Sequence, residues 1–107
     1  MMKTNLENLT LETFQPRVGN TFRIRASAEQ TIDAELIEAR ALVDPGRSPK
    51  RVSSPRTPFA LLFRTTLKGA LPQAIYAVEH DEMGACDIFL VPVGPDGKGM
   101  VYEAIFT

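Results

Sequence analysis

A chain of 107 residues that is 44% hydrophobic and 23% charged has the composition of one ordinary globular domain, not that of a disordered or membrane-spanning chain. A formal charge of −1 supplies no global positive field to gather a polyanion, which argues against nucleic acid as a partner of the whole surface. The single cysteine, Cys86, excludes an internal disulfide and leaves stability to apolar burial, the usual situation in a reducing compartment.

Met1 to Asn8 is polar where a secretory signal needs a continuous apolar run, and no later stretch reaches membrane-spanning length. A cytoplasmic protein with no membrane partner is the expectation. Over 9–18 the apolar residues Leu11, Phe14 and Val18 recur at helical spacing, Thr10 can cap the start, and Gly19 can supply a left-handed stop. Pro16 disfavours helical geometry at Gln15, so the pattern predicts one short N-terminal helix, broken in its middle, that covers an end of the core.

Thr21 to Ala26 alternates, with Phe22, Ile24 and Ala26 on one face and Arg23 and Arg25 on the other, the period of a half-buried strand. Over Thr31 to Val43 propensity favours helix but the pattern alternates, and its phase slips by one residue at Ile37. A slip of that kind is what a β-bulge produces, so a long bulged strand is expected, with a helix as the alternative. Asp44 to Pro58 then breaks the pattern with five prolines or glycines among serines and basic residues. This long loop carries Arg47, Lys50, Arg51 and Arg56 against only Asp44, and is a candidate partner-binding loop.

Phe59 to Leu67 puts Phe59, Leu61, Phe63 and Leu67 on one face and reads as a central strand. Ala74 to His80 and Cys86 to Val93 form a hairpin through Asp81-Glu82-Met83-Gly84. Pro95-Asp96-Gly97-Lys98-Gly99 is the clearest turn, and a last strand follows from Met100 to Phe106. The fold class is therefore mainly β: about six antiparallel strands in a small barrel or sandwich, with one short N-terminal helix, forming a single domain over 1–107. No internal repeat is evident.

Chemistry-bearing residues are few. His80 stands beside Glu79, Asp81 and Glu82, but alternation sends Glu79 and His80 to opposite faces, so a strand-end histidine bonded to its turn outweighs a metal ligand. Cys86 with His80 is the one imaginable nucleophile and base, and a buried apolar cysteine outweighs it. Asp33, Glu35 and Glu38 read as solvated charge that discourages edge pairing. Gly94, Gly97 and Gly99 fit neither a dinucleotide fingerprint nor a phosphate loop. No catalytic residue, cofactor or metal is expected.

Three stretches carry a family pattern. They are Leu9-Thr10-Leu11-Glu12-Thr13-Phe14, Pro58-Phe59-Ala60-Leu61-Leu62-Phe63-Arg64, and a C-terminal third with Leu71-Pro72-Gln73, Tyr76, Glu79-His80, Gly84, Phe89-Leu90-Val91-Pro92-Val93-Gly94-Pro95 and Gly99-Met100-Val101-Tyr102-Glu103-Ala104. Together they resemble a small bacterial domain family of unknown function over nearly the whole chain except the basic loop. The resemblance implies genes near phage-tail or tail-collar-like proteins, hence an assembly or interaction role, and brings no functional residue with it.

Two apolar faces remain on the last strand, because Val101 and Ile105 oppose Met100, Tyr102, Ala104 and Phe106. Something must cover one of them, which favours a non-enzymatic protein-interaction or assembly module with a protein partner or a second copy, presenting a strand edge or the loop. The alternative is a small-molecule or nucleic-acid-binding barrel that uses the basic loop.

Overall fold

The computed structural model describes residues 9–42, 57–67 and 69–107. A short helix α1 (Leu11–Phe14) runs into a 3-10 turn at Gln15–Arg17. Six strands follow: β1 (Thr21–Ser27), β2 (Gln30–Ala41), β3 (Phe59–Thr65), β4 (Ala74–His80), β5 (Gly84–Pro95) and β6 (Met100–Phe106). Every pairing is antiparallel, and the sheet closes on itself in the order β1-β2-β3-β6-β5-β4. The choice between barrel and sandwich thus resolves to a closed barrel of two three-stranded meanders, β1-β2-β3 and β4-β5-β6. Closure also corrects the expectation of a free strand edge, since every strand is paired on both sides.

Local chemistry accounts for most boundaries. At the start of α1 the Thr10 N–H donates to Thr13 Oγ1 (3.1 Å) and the Thr13 N–H to the Thr10 carbonyl (3.0 Å). Pro16 then tightens the helix to 3-10 geometry, and Gly19, at φ +96°, turns the chain into β1. In β2 the helical propensity of 34–42 loses to ladder bonds on both sides, from β1 and from β3. Its register shifts between Leu36 and Glu38, so Ile37 is the bulge residue at which the apolar phase slips.

Two strands differ from their expected lengths by more than one residue. β3 stops at Thr65, so Leu67 falls outside it, because its partner β6 begins at Met100, opposite Thr65. β5 extends to Gly84–Pro95 despite two prolines, since a second bulge between Pro92 and Gly94 relaxes the ladder there and Pro95 ends the strand.

The two meanders share one register. Phe22 opposite Ala34 in the first corresponds to Tyr76 opposite Ile88 in the second, and Ile24 opposite Ile32 corresponds to Val78 opposite Cys86. Likewise Arg40 opposite Ala60 corresponds to Gly94 opposite Val101, and Ala41 opposite Phe59 to Pro95 opposite Met100; both long strands carry one bulge toward their C-terminal ends. The centres of the two closing seams, Ile24 with Val78 and Leu62 with Glu103, lie on the local two-fold that relates the halves. The barrel is therefore a pseudo-symmetric pair, a repeat of geometry that the side chains conceal.

Each open end of the barrel is stopped by the segment that precedes the first strand of a meander. Before β1, Phe14 is fully buried and packs on Phe22, Phe59 and Phe106, with ring centroids 6.5, 5.9 and 5.8 Å away. Before β4, Leu71 packs on the core, its N–H donates to the Tyr102 hydroxyl (2.7 Å), and the Tyr76 hydroxyl donates to the Pro72 carbonyl. The helix thus covers the inward end of β6 at Phe106 and leaves the outward Ile105 exposed.

Removing the aromatic stopper should be costly. Phe14→Ala is expected to lower the unfolding free energy by about 3–5 kcal/mol in urea titration, with the barrel's far-ultraviolet signature retained. Among the described residues the Thr65 hydroxyl is buried with no hydrogen-bond partner, so Thr65→Val should raise stability by about 1 kcal/mol in the same titration. A destabilised Thr65→Val would show that the hydroxyl is satisfied.

Candidate functional site

His80 ends β4 with its ring facing inward, 6% exposed, against Phe22 at a centroid distance of 4.6 Å. The Glu82 N–H donates to Nδ1 (3.1 Å), which puts the ring proton on Nε2, where it is donated to Asn20 Oδ1 (3.0 Å). Both nitrogens are spent on holding the β4–β5 turn and the entry to β1. Burial pushes the imidazole below its ordinary value, Arg17 adds to that, and Glu82 and Asp81 oppose it. The residue is the turn-bonded strand-end histidine that alternation predicts.

Cys86 lies inside the barrel opposite Val78, and burial, with Asp87 adding to it, pushes its thiol up to about 11. A thiol held neutral opposite Val78, and a histidine opposite Gly84 with both nitrogens engaged, lack the requirements of an activated nucleophile and its base. Among the described residues no group of three His, Cys, Asp or Glu is placed to hold a metal ion. Nor is any described helix long and apolar enough to cross a membrane.

The charged residues serve the outer wall. Arg23 and Arg25 of β1 both reach Glu79 of β4, at 3.7 and 3.0 Å, and Arg23 also meets Asp81 at 2.9 Å. Glu38 pairs with Arg40 (2.9 Å) and Glu35 with Arg64 (3.8 Å), while Asp33 is exposed. Asp96 organises the β5–β6 turn: its Oδ1 accepts from the Lys98 and Gly99 N–H groups, and its Oδ2 accepts from Arg64 at 2.6 and 2.8 Å. Those bonds, that of Arg64 first, hold the Asp96 carboxyl below its usual range. Gly97 takes φ +87° in this turn, and Gly99 leaves no room for a Cβ, which would stand 2.0 Å from the Thr65 carbonyl oxygen. The three glycines are structural.

An open depression of about 370 Å³ lies beside this turn, lined by Thr66, Leu67, Pro95 and Met100 with three glycines. Among the described residues it offers no charged side chain to orient a ligand. The basic loop residues Arg47, Lys50, Arg51 and Arg56 lie outside the described residues.

What stands out is on the outer wall of β4, β5 and β6. Ile75, Phe89 and Ile105 are 67%, 51% and 57% exposed. Ile75 is opposite Phe89, and Ile105 stands on β6 two residues past Glu103, whose pairing with Val91 ends the β5–β6 ladder. At the pseudo-equivalent places of the first meander stand Thr21, Glu35 and Arg64, with Thr21 opposite Glu35 and Glu35 opposite Arg64. The first meander thus carries polar, ion-paired side chains at these places, and the second carries exposed apolar ones. Sequence reasoning put Ile105 on one of two apolar faces of the last strand without deciding which faces out, and Ile75 and Phe89 were hidden within continuous apolar runs.

Residues 9–106 match the family described as Domain of unknown function (DUF6916). No curated protein and no solved structure matches the chain.

Because the folded ring resists protonation, the unfolded chain binds a proton on His80 at a higher pH than the folded one does. Stability should therefore be full above the ordinary value of 6.5 and fall as pH drops from there toward the lowered folded value. Urea titrations from pH 7.5 to 5 should show that slope in the native protein and a flatter one in His80→Gln. Equal slopes would mean that His80 is not the group responsible.

Proposed function

For this chain, which belongs to the DUF6916 family, we propose the role of a non-catalytic protein-interaction module that docks through the outer face of β4, β5 and β6. The exposed set Ile75, Phe89 and Ile105 carries the reading. Three large apolar side chains on one wall gain nothing for the barrel's own core, because they point away from it. A contiguous apolar patch with polar neighbours is the usual mark of a contact site. The counterpart row Thr21, Glu35 and Arg64 supports it, since the same backbone is compatible with a water-facing surface.

The engaged nitrogens of His80 and the neutral, buried thiol of Cys86 favour a binding role over a catalytic one. Closure of the sheet favours side-chain docking over strand addition. An accessory part in a tail-like assembly of the bacterial cytoplasm belongs to the same proposal and rests on the family resemblance alone.

The test is site-specific photo-crosslinking in cells, with a photoreactive phenylalanine analogue at position 89 and, as the counterpart, at position 35. A discrete adduct from position 89 and none from position 35 is the expected result. Identical adducts at both positions, or none at 89, would overturn the proposal.

A further inference from the structure

We propose that the segment 9–18 is an acid-released plug: a proton on His80 frees it from the barrel end and uncovers the aromatic mouth of Phe22, Phe59 and Phe106, while the six strands stay closed. The inference concerns one end of the barrel and stands apart from the docking role of the outer wall. Two fastenings of the plug run to His80. In the first, Asn20 is the junction: its N–H donates to the Arg17 carbonyl (2.9 Å) at the end of the plug, and its Oδ1 takes the His80 Nε2 proton (3.0 Å). In the second, the Arg17 guanidinium donates to the Thr13 carbonyl within the plug and reaches the Glu82 carboxylate at 3.6 Å, on the turn that His80 Nδ1 holds. Between the two, the His80 ring lies on Phe22, and Phe22 meets Phe14.

The turn bond requires a neutral ring. Once protonated, Nδ1 is a donor facing the Glu82 N–H, so that bond is lost, and with it the placement of the carboxylate that Arg17 reaches. Neither fastening belongs to the strand ladder. β1 begins at Thr21 and its seam with β4 runs over Arg23 to Arg25, so the plug can leave without parting a seam.

The charges around the ring set the direction. Arg17 from the plug and Arg23 from β1 oppose a cation there, whereas Glu82 and Asp81 from the turn favour one; Glu79 lies on the outer face of β4 with Arg23 and Arg25. The two arginines are 25% and 29% exposed against 74% and 84% for Glu82 and Asp81, so water screens the attraction more than the repulsion. Burial first and then Arg17 accordingly hold the imidazole below its ordinary value. With the plug withdrawn, the ring regains water, loses Arg17 and takes up its proton at a higher pH. The plug is therefore closed above 6.5 and opens as pH falls from there toward the lowered value. Arg17 Nε, buried with no hydrogen-bond partner, also gains water on opening.

Amide hydrogen exchange of the full chain, followed by nuclear magnetic resonance from pH 7.5 to 5 and corrected for the chemical rate, tests this. Opening at the Thr13, Val18 and Asn20 amides, all bonded within the plug or to its end, should rise about threefold or more on acidification, while the amides of β3 and β6 keep their protection. His80 is the chain's one histidine, so the same samples give its titration, whose midpoint should coincide with that of the opening. In His80→Gln the plug amides should open equally at every pH; should that variant not fold, the coincidence of midpoints in the native protein decides. Plug opening that does not depend on pH, a midpoint apart from that of the imidazole, or a dependence retained in His80→Gln would overturn the plug. So would β3 and β6 opening in step with it, since the whole barrel would then be coming apart.

Discussion

Closure of the sheet depends on its narrowest seam. β3 and β6 pair over seven positions, whereas β1 and β4 pair over three, Arg23 to Arg25 against Glu79 to Ala77. So short a ladder contributes little alone, and it is reinforced from both sides. Inside, Ile24 and Val78 meet in the core and Phe22 lies on the His80 ring. Outside, two arginines converge on Glu79, whose side chain is only 12% exposed and therefore less screened than an ordinary surface partner. If this seam parted, β1 and β4 would become edges and both end-stoppers would lose a wall. Phe14 packs on Phe22 of β1, and the Tyr76 hydroxyl of β4 holds the segment that carries Leu71.

A closed barrel also dictates how the molecule can meet others. Its ladder groups are spent internally, so recognition falls to side chains on the wall or to the turns. The two halves have parted company on that wall. One kept Thr21, Glu35 and Arg64, with Arg64 drawn further into the Asp96 turn; the other carries Ile75, Phe89 and Ile105. Pseudo-symmetry supplies an internal control for what the fold requires of those positions. It requires neither set.

Much of this was legible in the residues. In β1 and β2 alternation reveals the inward stripe directly, and the slip at Ile37 marks a bulge even where propensity favours a helix. Pro16 and Gly19 announce a helix cut short. Strand order was not legible, because the neighbours that close the barrel, β3 with β6 and β1 with β4, are chosen by long-range packing that no local pattern encodes. The repeat was hidden for a related reason: Phe22 with Tyr76, or Ile32 with Cys86, share an inward position and an apolar character but no identity. The exposed apolar residues shared that fate, since they come from three strands and share one wall only once the strands are laid side by side.

The paired stoppers bear on chain connectivity. By the local two-fold, the gap from the end of β6 to the start of β1 is the counterpart of the gap from the end of β3 to the start of β4, which residues 66–73 bridge while carrying Leu71. The segment before β1 occupies the matching place and carries Phe14. Each meander therefore travels with its own plug and its own half of both seams, and the barrel is indifferent to which comes first. A chain permuted so that the second meander precedes the first would present the same core, the same seams and the same outer wall.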